Sequence, residues 1–164
     1  MRPSETAAEV AQRFEISEAA VALAWDADLI DLHIDTFIPP RLYGYDVFKE
    51  HARGPLGRRF FGHLDLPRMA RAGLSGAMWS ITTNIARRQA GRWRWFLKNV
   101  EAMRDVVARS DGALTFARTL SEYRAARANG QHAVLLAVQG GNAFDGGAVA
   151  DAPDDLITRV TVVH

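Results

Sequence analysis

The chain contains no cysteine. That absence excludes disulfides, thiolate catalysis and every cysteine-based zinc or iron–sulfur site. Any metal must be held by His, Asp, Glu or Gln. Lysine is scarce as well, found only at Lys49 and Lys98, so the basic residues are nearly all arginine. The net charge is +1, which offers no bulk electrostatic argument for nucleic acid. No apolar run approaches the roughly 18 residues of a membrane span. No apolar core follows the first charges, so no signal peptide is visible, and the expected compartment is the cytoplasm with no membrane contact. No G-x-G-x-x-G follows the first strand, and no Walker A motif occurs.

What is present is an ordinary globular balance, 48% hydrophobic and 24% charged residues. At about 150 residues per domain, residues 1–164 are expected to form a single domain. Residues 4–13 and 17–26 read as two leading helices, with Ser4 and Ser17 as N-caps. Asp28 to His33 reads as a strand, and Phe37 to Gly62 as a long loop of the kind that is usually functional. Asp65 caps a helix ending at Gly73, and Leu74 to Ile81 is a strand. Thr82 to Gly91 reads mainly as loop. Trp93, Phe96, Leu97, Val100, Met103 and Val107 then recur at helical spacing. Leu114 to Ala117 is a short strand, Leu120 to Ala128 a helix, and Ala133 to Val138 an unbroken apolar run typical of a buried parallel strand. Arg159 to Val163 is a final strand. About five strands alternating with helices mean an α/β chain with a parallel sheet, either doubly wound or part of a (β/α)8 barrel.

Polar groups gather at the strand ends. His33 and Asp35 are two apart, so both side chains point the same way, and an imidazole and a carboxylate converging there can ligate one divalent cation. Gln139 ends the apolar strand just before Gly140-Gly141. His164 ends the last one. Each alone has an ordinary structural explanation. Together they line one face of a parallel sheet, where barrel enzymes carry their catalysts.

Four segments then resemble one family in order and spacing. Asp31-Leu-His-Ile-Asp35 resembles the D-x-H-x-D signature of the membrane (renal) dipeptidase family of metallopeptidases. Leu64 to Ser80 is similar to its D-L-P helix, glycine turn and strand ending in Trp-Ser. Val138-Gln-Gly-Gly-Asn142 resembles its E-G-G motif, and Arg159 to His164 its next strand, ending in His. The resemblance implies a partial (β/α)8 TIM barrel of about five strands and zinc-dependent hydrolysis of dipeptides at a two-metal site. By that resemblance His33 and Asp35 hold the first metal. Gln139 stands where the family has a bridging glutamate, and His164 contacts substrate.

The chain departs from the pattern twice. Gln139 is neutral and leaves the repulsion between two cations less compensated, which favours one Zn²⁺ or a weak second. The family's later histidines, arginine and aspartate also have no counterpart here. A truncated, inactive chain that pairs with a missing C-terminal half or with a second copy is therefore expected. The alternative is a non-catalytic relative that binds a metal or small ligand. A nucleic-acid reading rests on Arg87-Arg88 and Arg92-Trp-Arg-Trp95, where basic and aromatic residues interleave. It is opposed by Trp93, which falls on the apolar stripe of its helix.

Overall fold

A computed structural model describes residues 5–35, 45–51, 64–82, 89–139, 141 and 144. Two short helices open it, α1 (Ala7–Phe14) and α2 (Glu18–Asp26). Thr6, not Ser4, caps α1. Its hydroxyl accepts from the Glu9 N–H at 3.2 Å while the Glu9 carboxylate accepts the Thr6 N–H at 2.7 Å, a reciprocal capping box. Ser17 caps α2 as expected. Val10, Ala11 and Val21 form the small core between the two helices.

There follow β1 (Ile30–Ile34), α3 (Leu66–Ala72), β2 (Gly76–Thr82), α4 (Gln89–Ala108), β3 (Leu114–Phe116), α5 (Leu120–Ala128) and β4 (His132–Gln139). α3 is bounded as its sequence dictates. The Asp65 carboxylate accepts the Arg68 N–H at 2.9 Å, and Gly73 takes the left-handed conformation with φ 67°. β1 begins two residues later than the sequence suggests. Asp28 is drawn away by Arg127 at 2.5 Å, and the Leu29 carbonyl is taken by Ser75 of the next connection. β2 reaches Thr82, and α4 starts at Gln89, ahead of its apolar stripe.

All four strands run parallel in the order β1-β2-β4-β3. A barrel built strictly in chain order would place β3 between β2 and β4. Here β4 takes that place, and three-residue β3 lies outside it, paired only along His132 to Val134. The expected strand at 159–163 falls outside the described residues.

This order decides which face each helix covers. The β2–α4–β3 connection steps outward past β4, and β3–α5–β4 steps back. Right-handed crossovers in opposite directions put their helices on opposite faces. Phe96, Val100 and Met103 of α4 accordingly pack with Trp79, Ile81 and Val134 on one face. Tyr123 and Ala126 of α5 pack with Ala133 on the other. A Cβ on Gly76 would sit 3.1 Å from the Tyr123 ring, so glycine here permits α5 to lie close. On that second face α5 covers the start of the strands. Their carboxyl ends stay open, and Leu32 and Met78 are 71% and 38% exposed.

Candidate functional site at the carboxyl ends of β1, β2 and β4

Register fixes which side chains meet. In β2 and β4, Ser80 lies opposite Ala137 and Thr82 opposite Gln139. Strand alternation puts Ser80, Thr82, Ala137 and Gln139 on the face that α5 leaves open at this end. β1 joins them through a bulge. Asp31 pairs with Ala77 and Ile34 with Trp79, so three steps along β1 match two along β2. Without that extra residue, His33 would share the face of Asp31 and point toward the α4 core. With it, the His33 ring reaches Ser80. The Asp31 carboxylate accepts the His33 backbone N–H at 2.9 Å and closes the bulge. Bulges beside active sites re-aim side chains in this way.

His33 Nε2 lies 3.3 Å from Asp35 Oδ2, and both side chains are half exposed. Two donors about 2.1 Å from one zinc at a tetrahedral angle would stand about 3.4 Å apart. The pair is therefore spaced as a chelate. His33 Nδ1 lies 3.4 Å from the Ser80 hydroxyl, which is fully buried. The Thr82 hydroxyl donates to Gln139 Oε1 at 2.6 Å. Since Ser80 and Thr82 are one strand repeat apart, about 7 Å, the imidazole and the amide flank a shared space.

Of the expected site residues, His33 and Asp35 come together and Gln139 ends β4 at the same end of the sheet. His164 lies outside the described residues, as do His63, Arg87 and Arg88. Among the described residues no group of three or more His, Asp or Glu could hold a metal. The protein residues thus fit a cation in part, with two strong donors and one amide oxygen nearby.

The other described histidines serve elsewhere. His132 starts β4 at the opposite end, fully buried. Its Nδ1–H donates to the Leu74 carbonyl at 2.9 Å, and its Nε2 accepts the Trp79 indole N–H at 3.1 Å. Burial disfavours its cation and brings its pKa down to about 4. His51 stacks on Tyr45 with ring centroids 3.9 Å apart. The Arg/Trp segment is an amphipathic helix face: Trp93 stacks on Phe96 at 5.4 Å and packs against the core. Among the described residues no helix is long and apolar enough to cross a membrane.

Sequence reasoning assigned no role to Ser80, Thr82 or the bulge. The two-residue period along Ser80-Ile-Thr82 was the available signal for the hydroxyls. The bulge has none, because it exists only relative to β2.

Comparison with known families finds that residues 17–151 match the family model for membrane dipeptidase, peptidase family M19. No curated protein matches. A crystal structure described as the dipeptidase AC, a metallopeptidase of family M19, aligns with a TM-score of 0.59 and 21% identity. The alignment covers 78% of this chain and 40% of that one, so this chain spans less than half of that protein's length.

Proposed function

The chain belongs to the membrane dipeptidase family, and on that premise we propose that it forms the metal-binding N-terminal part of a zinc-dependent dipeptide hydrolase. The observation that carries this reading is the His33–Asp35 pair, 3.3 Å apart at the carboxyl end of β1 on the face left open beside α5. His33 Nε2 and Asp35 Oδ2 would hold the first cation. Gln139 would offer its amide oxygen to a second cation, with less charge than a glutamate brings. Zinc, when bound, supplies a Lewis acid that acidifies water and polarises the peptide carbonyl.

The chain's own residues do the rest. Asp31 keeps His33 on the open face, and Thr82 holds the Gln139 side chain across the gap. Leu32 and Met78 provide an apolar wall for a small side chain of the substrate. His164 would stabilise charge developing on the scissile oxygen. Two strong donors fall short of the three protein ligands of an ordinary catalytic zinc site, so the remaining ligands come from outside the described residues.

Gln139 favours a second reading, a relative that binds one metal or a small ligand without catalysis, because its oxygen is already engaged by Thr82 at 2.6 Å. Dipeptide turnover by the complete zinc-loaded protein separates the two. The hydrolase reading expects turnover that falls at least a hundredfold in His33→Ala. Zinc binding without turnover on any dipeptide would leave the binding reading.

A further inference from the structure

We propose that the outer face of the amino-terminal half of α4 is a docking surface for the chain's own acidic stretch, Asp145 to Asp155. Charge is segregated along the sequence. Between Leu66 and Val100 there are arginines and a lysine but no Asp or Glu. Between Ala128 and Thr158 the reverse holds, with Asp145, Asp151, Asp154 and Asp155 but no Lys or Arg. The net charge of +1 conceals both blocks.

The fold displays the basic block. Arg94 and Lys98 are four residues apart in α4, so they share one stripe of the helix, and both are exposed. Lys98 Nζ lies 4.9 Å from the centre of the Trp95 ring, a contact that holds the ammonium without neutralising it. Arg13, Arg104 and Arg127, by contrast, stand beside the carboxylates of Glu5, Glu101 and Asp28. Arg94 and Lys98 have no carboxylate partner among the described residues.

Phe144 brings the acidic block to this place. Its N–H donates to the Gly141 carbonyl at 2.9 Å, closing a turn just after β4. Its ring centre lies 5.9 Å from that of Trp93 and 5.5 Å from that of Phe96, on the helix segment that carries Arg94 and Lys98. From Trp93 to Lys98 the helix rises only about 7.5 Å, whereas ten extended residues beyond Asp145 reach about 33 Å. An exposed ion pair is worth little by itself. Four carboxylates tethered beside two unpaired cations meet them at high effective concentration. The tether favours this stretch over a second copy of the chain, because it starts at the surface itself.

Carbodiimide coupling tests the proposal. The reagent joins a carboxylate to an amine as an amide and takes up the water lost. Only Lys49, Lys98 and the amino terminus supply amines. Trypsin leaves a coupled Lys98 within residues 95–104 and all four aspartates within 128–159. The expected product is these two peptides joined within one chain, at a yield several-fold above that of the urea-unfolded protein. The yield should fall several-fold in 1 M salt, where the screening length is about 3 Å. It should fall likewise in Arg94→Glu, an exposed change, with thermal unfolding recorded to confirm a folded chain.

A native yield no higher than in urea overturns the proposal, and this arm needs no variant. So does a yield indifferent to salt. In a mixture of isotope-labelled and unlabelled chains, links that join one kind to the other would place a second copy on this face and overturn it too.

Discussion

The indole N–H of Trp79 donates to Nε2 of His132 at 3.1 Å, tying the middle of β2 to the first residue of β4 inside the core. With Nδ1–H on the Leu74 carbonyl, both ring nitrogens are satisfied only while the ring is neutral. Protonation would turn the Nε2 acceptor into a donor facing another donor.

Stability should therefore fall as the medium is acidified. The folded pKa of His132, about 4, lies below the ordinary 6.5. Its contribution is fully present above pH 6.5. Below that, the unfolded chain binds a proton that the folded chain refuses. At about 1.4 kcal/mol per pH unit, roughly 3 kcal/mol is lost between pH 6.5 and 4. Urea unfolding at pH 7.5, 6 and 5 checks this against His132→Gln, which should lack that part of the slope. Equal slopes in both chains would assign the acid sensitivity elsewhere.

The close approach of α5 to the sheet depends on Gly76. A Cβ there would lie 3.1 Å from Tyr123 and 3.2 Å from the Ala133 carbonyl. Gly76→Val should cost about 1–3 kcal/mol. Gly91 is its counterpart in α4, with nothing within 4 Å of an added Cβ. Gly91→Ala should raise stability by about 0.5–1 kcal/mol through helix propensity. Urea midpoints measure both, and a neutral Gly76→Val would mean that α5 does not pack on this face.

The bulge predicts a distinction between two changes at one position. Asp31→Asn keeps an oxygen to accept the His33 N–H, whereas Asp31→Ala does not. Zinc affinity should be near wild type in the first and about tenfold weaker in the second, as is usual when the support of a ligand is removed. Chelator competition reads the affinity. Equal affinities in the two variants would remove the bulge from the account.

Much of this site was legible from local pattern. The two-residue period put His33 and Asp35 together, and the apolar run of Ala133 to Val138 ending at Gln139 marked a buried strand with a polar tip. Helix ends announced by Ser17, Asp65 and Gly73 fell where those residues dictate, because caps act within one turn. Relations between distant segments were not legible. The place of β4 between β2 and β3, and hence α5 on the site face, follows from pairing across the sheet. The face taken by His33 follows from a bulge defined only against β2. The contact of Thr82 with Gln139 needs a register that neither strand carries by itself.

In the complete protein, Gln139→Glu should strengthen the second metal site, since it adds charge and a second oxygen where two cations would repel. Turnover should rise only where metal occupancy limits it. Zinc stoichiometry at controlled zinc levels is the readout. Unchanged or weaker second-site binding would show that position 139 does not bridge two metals.

The most direct measurement is calorimetric titration of this chain with zinc, repeated on His33→Ala and Asp35→Ala. The account predicts one weak site per chain, lost in both variants. Two tight sites, no binding at all, or a site that survives both substitutions would contradict it.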